Sequence, residues 1–221
     1  MDAVVTSPLL LRGLLSPYVA VAECGTDPPD VVLFPEERRV VARAVEKRRR
    51  EFGSVRHCAR RALAELGLPP QPILPGRRGA PQWPAGVTGS MTHCAGFRGA
   101  AVARSADIAA LGVDAEPHEP LPDGVAEVVL RPEEQDGVAR LAEAHPAVAW
   151  DRLVFSAKES VFKTWYPSTG RELDFGEASI EFDPRDASFV ARLLVPGHGG
   201  YRGRYAVADR LLVTAIEVAR R

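Results

Sequence analysis

The chain has 221 residues, 46% of them apolar, and a formal net charge of −1. That apolar share is enough for a packed core and excludes global disorder, while the near-neutral balance excludes bulk electrostatic capture of nucleic acid. The apolar runs Leu9–Leu11 and Leu14–Leu15 are interrupted by Arg12 and Pro17 and preceded by Asp2, which suits neither a signal peptide nor a membrane span. The three cysteines (Cys24, Cys58 and Cys94) are odd in number and match no zinc spacing, as expected of a cytoplasmic chain kept reduced.

In chain order, Tyr18–Glu23 reads as a strand, and Asp27–Asp30 as a polar turn. From Glu36 to Leu66 the pattern is helical, with Phe52, Val55, Ala59, Leu63 and Leu66 at steps of three or four. Gly53–Ser54 is a candidate break, and Gly67 with Pro69–Pro70 stops the helix. Gln71–Gly89 is a Pro/Gly-rich loop leading into Gly89–Cys94. Strands follow at Arg98–Arg104 and Ile108–Glu116, ended by Pro117, Pro120 and Pro122. Helices are expected at Val125–Leu130, Pro132–Glu143 and Pro146–Trp165. The tail carries β runs at Ala178–Phe182, Phe189–Val195 and Tyr205–Val218, the last a hairpin turning at Asp209–Arg210. The order strand, long helix, strands occurs twice with no residue-level repeat in view. This predicts an α+β fold of two similar halves, residues 1–110 and 111–221, meeting near Ala110.

Four constellations carry chemistry. In Gly112-Val113-Asp114-Ala115-Glu116, Asp114 and Glu116 share a strand face while Val113 and Ala115 turn to the core. Paired carboxylates suit Mg²⁺, which combines one or two of them with substrate phosphates; two solvated charges at a strand end fit equally well. In Phe155-Ser156-Ala157-Lys158-Glu159-Ser160-Val161-Phe162-Lys163, one helical face carries Phe155, Glu159 and Lys163. An ordinary Glu–Lys pair is the plainer reading. Against it, only Lys47, Lys158 and Lys163 among 28 basic residues are lysine, and two of them fall here.

Ser90-Met91-Thr92-His93 can offer backbone N–H groups, hydroxyls and an imidazole to a phosphate, although a lone His is more often structural. Among Lys47, Arg48, Arg49, Arg50, Arg56, Arg60 and Arg61, the side chains of Arg48, Arg56 and Arg60 fall roughly on one side. Their guanidinium forks suit phosphate oxygens. A solvated basic face is the bland alternative, and a nucleic-acid surface lacks interleaved aromatics beyond Phe52. Together the four describe a polyphosphate ligand with a further, separated phosphate.

The motifs "GVDAE" and "FSAKESVFK", with the colinear flanks "EKRRREF", "VRHCARRAL", "PPQPIL" and "WPAGVTGSMTHCAGFRGA", closely resemble the Sfp-type 4′-phosphopantetheinyl transferases, in particular the actinobacterial branch. The similarity covers roughly Asp27 to Glu217. The resemblance implies a pseudo-dimer of two α/β subdomains with coenzyme A in the cleft between them. It implies Asp114, Glu116 and Glu159 as Mg²⁺ ligands, with Mn²⁺ as a substitute and the Ala115 backbone close to the ion. It further implies Arg48 and Arg56 on the 3′-phosphate, and Ser90, Met91, Thr92 and His93 as a phosphate-contacting loop. Lys158 and Lys163 would lie near the pyrophosphate and Leu173 against the pantetheine arm. Pro75, Gly76, Arg77 and Arg78 would lie by the adenylate. A basic residue often found at the position of Pro75 is missing, and Arg77 or Arg78 can replace its charge.

The implied reaction moves phosphopantetheine from coenzyme A to a serine of an apo acyl or peptidyl carrier, with release of 3′,5′-ADP. It would serve polyketide, non-ribosomal peptide or fatty-acid synthesis. Glu159 is then the candidate base and Lys163 the charge-neutralising group. A monomer is expected, with neither nucleic acid nor membrane as partner. The stripe Val125, Val128, Val129 and Leu130 is either a carrier-docking surface or core packing. A Mg²⁺-dependent phosphohydrolase and a silent CoA-binding protein are the rival readings.

Overall fold

The computed structural model describes residues 10–208 and 210–220; Asp2, Leu9 and Asp209, on which sequence readings fell, lie outside them. Short runs of small apolar residues build the first sheet. In it β1 (Val19–Cys24), β2 (Val87–Cys94) and β3 (Phe97–Arg104) pair antiparallel in the order β1-β3-β2. Ala20, Ala22, Ala100 and Val102 form one face, and α2 (Glu46–Glu65) covers it with Cys58, Ala59, Ala62 and Leu63. α1 (Pro35–Val40) precedes it.

The expected break at Gly53–Ser54 is corrected: α2 runs straight through, and the helical stretch is interrupted at residues 41–45 instead. The two residues are small for packing. A Cβ on Gly53 would stand 3.1 Å from Val31 Cγ1, and the Ser54 hydroxyl donates to Asp27 Oδ1 at 2.8 Å. They dock α2 on the segment before α1.

The second sheet contains β4 (Ile108–Pro117), β5 (Ala178–Asp183), β6 (Ser188–Leu193), β7 (Gly200–Val207) and β8 (Leu211–Ala219), antiparallel in the order β4-β8-β7-β6-β5. α3 (Ala126–Val129) and α4 (Pro132–Ala144) precede the long helix α5 (Trp150–Thr169). Leu153, Ala157, Val161 and Trp165 of α5 pack on Ile180, Phe189, Leu212 and Ile216 of the sheet. α5 starts later than Pro146 suggested and continues past Trp165. Pro167 sits in its last turn, and Gly170, at φ 66°, closes it. A third core joins the sheets, where Val19, Val21, Ala101 and Ala103 meet Leu111, Val113, Ala115 and Val213. The architecture is α+β, two helix-on-sheet layers sharing an apolar seam.

The expectation of no residue-level repeat is also corrected. Val32-Leu33-Phe34-Pro35-Glu36-Glu37 and Val129-Leu130-Arg131-Pro132-Glu133-Glu134 are the same pattern, VLxPEE. Each places proline at the start of a helix and a glutamate two residues on, which turns back to accept its own N-cap N–H. Glu37 (0% exposed) accepts from the N–H groups of Phe34 and Ile73 at 3.0 and 2.9 Å and from Arg60 at 2.9 Å. Glu134 (4% exposed) accepts from the N–H groups of Arg131 and Ile180 at 2.8 and 2.6 Å and from Lys158 at 2.7 Å. Arg60 also donates to Val32 O, and Lys158 to Val129 O. Each half thus has one buried carboxylate that ties a helix start, an extended segment and the long helix together.

Candidate active site

The acids stand where the two sheets meet. On β2 the Ser90 hydroxyl accepts the Val113 N–H at 3.1 Å, and the Thr92 hydroxyl accepts the Ala115 N–H at 3.1 Å. Side chains of one strand thereby take the place of ladder carbonyls for the next. This corrects the expectation of a phosphate-contacting loop at Ser90–His93, which belongs to strand β2 and pairs to β3 on its other side; the strand also begins at Val87, within the expected loop Gln71–Gly89. Ser90 and Thr92 are buried, and Thr92 does not line the cleft described below.

α5 approaches β4 closely because Gly112 has no side chain. A Cβ there would lie 2.0 Å from Ser160 O and 2.1 Å from Thr164 Oγ1. Ser156 and Ser160 also share hydroxyl contacts with Thr214 of β8, at 2.9 and 2.7 Å. With the helix so near, Lys163 Nζ reaches Asp114 Oδ1 at 2.7 Å and Val113 O at 3.2 Å. Asp114 is 4% exposed; its Oδ1 also accepts from Thr92 at 3.2 Å, whereas Oδ2 is buried without a hydrogen-bond partner. Glu116 accepts from Arg152 at 3.1 Å; burial, reinforced by the neighbouring Asp114 charge, pushes its carboxyl up to about 7. Burial likewise raises the Glu159 carboxyl, opposed by Lys163.

A cleft of about 470 Å³ runs from Glu159 and Lys163 along α2, with Asp114 and Glu116 behind its wall rather than on it. Arg48, Arg56, His93, Glu159 and Lys163 line it, together with Ser90, Met91, Pro75 and Arg78. Arg48 stands 3.3 Å from His93 Nε2, and burial lowers the His93 pKa. Arg56 is fixed rather than free: Phe52 lies under its guanidinium at 3.2 Å, and it donates to Ile73 O and Phe52 O. Burial draws it down to about 10. In the loop carrying Pro75, the Gly76 N–H donates to Ala80 O at 2.7 Å, which brings Arg78 to the cleft and leaves Gly76 and Arg77 off its wall. Arg78 spans to Glu172 at 3.0 Å. Leu173 lines a smaller adjoining hollow of about 250 Å³ that shares Arg78, Glu159 and Phe162 with the cleft.

Two expectations are not met by the placement, and one open alternative is divided by it. The Lys158 side chain borders the smaller hollow, but its ammonium is fully engaged by Glu134, Val129 O and Phe175 O, at 2.7, 2.7 and 2.9 Å, so it holds the fold. Phe155 packs by Phe175 and stays off the cleft wall that Glu159 and Lys163 line. Within the stripe Val125–Leu130, Val129 and Leu130 are core and Val128 alone is well exposed, at 72%. Sequence reasoning passed over Phe162 and Tyr166, which stack at 5.4 Å on the cleft face of α5, and Arg152. Their signal was helical spacing from Glu159.

Among the described residues no three His, Cys, Asp or Glu side chains form a ready metal cage. The arrangement nevertheless fits an ion that completes its shell with phosphates and water. An unpaired carboxylate oxygen buried as Asp114 Oδ2 is costs about 1–3 kcal/mol or more, and a cation relieves that cost. Ala115 spends its N–H on Thr92, which leaves its carbonyl on the same strand edge.

Comparison with known proteins bears on the whole chain. The 4′-phosphopantetheinyl transferase N-terminal domain family matches residues 36–103, and the 4′-phosphopantetheinyl transferase superfamily matches residues 110–209. The chain is 58% identical over 220 residues to 4′-phosphopantetheinyl transferase Svp of Streptomyces mobaraensis, covering 95% of this chain and 89% of that one. It is 46% identical over 209 residues to PptT of Mycobacterium tuberculosis, covering 90% and 91%. Against Npt of Nocardia iowensis the identity is 45% over 225 residues, covering 95% and 100%.

Proposed function

Because the chain belongs to the 4′-phosphopantetheinyl transferase superfamily, we propose that it transfers 4′-phosphopantetheine from coenzyme A to a serine of apo acyl and peptidyl carriers in polyketide, non-ribosomal peptide or fatty-acid synthesis. The observation that carries this reading is Asp114, its other oxygen buried and unpaired, held at 2.7 Å by Lys163, which lines an arginine-bearing cleft.

Phosphoryl transfer needs positioning and charge stabilisation more than covalent help. Arg48, Arg56 and His93 hold the 3′-phosphate end, Ser90 and Met91 the wall beside it, and Arg78 the adenylate flank in place of the basic residue missing at Pro75. Leu173 and Phe162 form the apolar wall of the pantetheine arm, beside the shared hollow. The serine oxygen forms a new bond to the phosphorus bearing pantetheine, and the bond from that phosphorus to the 3′,5′-ADP oxygen breaks. Glu159 takes the serine proton on a carboxylate oxygen that the cation does not engage, and burial in the metal-free site already favours its protonated form. Lys163 neutralises charge on the phosphoryl oxygens. Asp114, Glu116 and Glu159, with the Ala115 backbone close by, would hold Mg²⁺ or Mn²⁺, which would supply charge neutralisation for the pyrophosphate.

The halves divide near Ala110, just inside β4, a boundary supported by the change of sheet after β3 and by the two matched families, one ending at residue 103 and the next starting at 110. A single chain supplies both walls of the cleft, which supports a monomer. A cytoplasmic location is part of the proposal; no helix among the described residues is long and apolar enough to cross a membrane.

The test is incubation with coenzyme A, Mg²⁺ and an apo carrier, followed by mass spectrometry of the carrier serine. The phosphopantetheine mass is expected. Phosphate release without a carrier would instead identify a phosphohydrolase, and tight CoA binding without turnover a silent binder.

A further inference from the structure

Thr92 lies between two residues of the cleft wall, Met91 and His93, yet is buried away from it. Its hydroxyl accepts the Ala115 N–H at 3.1 Å, so the hydroxyl proton is left to be donated to Asp114 Oδ1, 3.2 Å away. The neighbouring Ser90 makes the equivalent bond to Val113 but reaches no acid. Asp114 Oδ1 has one other donor, Lys163, whose side chain is partly exposed on the cleft. Lys163 has three N–H donors and divides them among Asp114, Val113 O and the cleft, so its hold on the acid is shared. The single hydroxyl proton of Thr92 goes to Asp114, and its β-branched side chain is stiff and anchored through its oxygen to the strand that carries the acid.

We propose that Thr92 is a positioning residue of the transfer site: its hydroxyl, anchored by the Ala115 N–H, fixes Asp114 Oδ1 and reserves Asp114 Oδ2 for the divalent cation. This differs from a phosphate contact, for which Thr92 would have to line the cleft. It also gives the junction between the sheets a chemical task, since β2 brings His93 to the ligand and, one residue earlier, sets the acid of β4.

The inference rests on the metal-assisted reading above and is tested without turnover. The full chain, saturated with coenzyme A and without carrier, is titrated with Mn²⁺, and free Mn²⁺ is followed by its electron paramagnetic resonance signal. Thr92→Val, which keeps the shape and loses the hydroxyl, is expected to weaken Mn²⁺ binding about tenfold or more, and Thr92→Ser by less than about threefold. CoA affinity in the absence of metal should change by less than about twofold, and half-saturating Mg²⁺ for transfer should rise in parallel with the Mn²⁺ constant. If Thr92→Val does not fold, Thr92→Ala carries the same expectation. Wild-type Mn²⁺ affinity in the hydroxyl-free variant, or equal loss in Thr92→Ser, overturns the role of Thr92 alone. A parent protein that binds no Mn²⁺ with coenzyme A present overturns the metal-assisted reading as well.

Discussion

Replacing Lys158 by methionine separates the two lysines of α5. Lys158 and Glu134 form an ion pair of 2.7 Å whose side chains are 1% and 2% exposed, and the ammonium also satisfies Val129 O and Phe175 O. Methionine keeps the aliphatic bulk and removes the charge. Losing one partner of a buried pair costs about 3–5 kcal/mol, because the remaining charge stays out of water. Here Glu134 keeps two backbone donors, from Arg131 and Ile180, which places the cost near the lower end, about 3 kcal/mol. For a chain of this size that corresponds to a fall in Tm of roughly 6–12 °C. Lys163, partly exposed at the cleft and paired to Asp114, should differ in its effect on transfer. Lys163→Met leaves the buried Asp114 with Thr92 as its donor, so it too should cost about 1–3 kcal/mol, and it should cut transfer by about 100-fold or more. The assay is thermal unfolding followed by circular dichroism, alongside steady-state transfer kinetics with coenzyme A varied at low temperature. A Lys158→Met variant with the parent Tm and a KM for coenzyme A raised about tenfold, or 1.4 kcal/mol, would refute the structural assignment and return that lysine to the ligand.

Four further outcomes are expected. Gly112→Ala puts a methyl where Ser160 O and Thr164 Oγ1 already stand, so it should cost several kcal/mol, about 3 or more, and abolish transfer; parent-like melting and activity would contradict the close approach of α5. Glu116 is raised from the ordinary 4.5 to about 7, so the native state holds the extra proton between those values and this group lowers stability as pH rises through that window. Metal-free Glu116→Gln should therefore melt above the parent at pH of about 8 and lose the advantage as pH falls to about 4. Because the acid must lose its proton to bind a cation, the parent's Mn²⁺ affinity should rise over the same window and that of Glu116→Gln should not. Glu159→Ala should leave the melting curve intact and lower transfer by about 100-fold or more; near-normal holo-carrier formation would remove Glu159 from the mechanism. Val128→Glu, at the one exposed member of its stripe, should raise the carrier KM and leave coenzyme A binding unchanged.

How much of this was legible in the sequence varied by element. Strands β3 and β4 and the periodic face of α2 were readable because small apolar residues repeat at the right spacing. β2 was not, because Gly89 followed by Ser90, Thr92 and His93 has the composition of a phosphate loop. Its polar side chains face inward because β4 supplies N–H groups for them, and that pairing is non-local. The two lysines looked equivalent through scarcity alone. Five residues separate them, which is about 140° around a helix, enough to send one to the core and the other to the cleft. The VLxPEE repeat was visible as letters, but its meaning lies in partners far along the chain, Ile73 with Arg60 and Lys158 with Ile180. For the site, residue chemistry reached a polyphosphate cleft with paired acids. The separate standing of Thr92, Arg152 and Phe162 needed coordinates.

The hydroxyl junction between β2 and β4 also bears on what the chain must avoid. A strand edge with free N–H and C=O groups is a template for pairing with another copy. β4 is bonded to β8 along one edge, and its other edge presents the N–H groups of Val113 and Ala115 beside a run of Ala, Leu and Val. Ser90 and Thr92 cap that edge from within the same molecule, and a hydroxyl pair accepts the N–H groups without extending a regular ladder to further strands. A C-terminal fragment beginning at β4 would expose this edge and the apolar seam together, inviting fibril-like association. The contact that assembles the cleft is therefore also what keeps one sheet from recruiting a neighbour's.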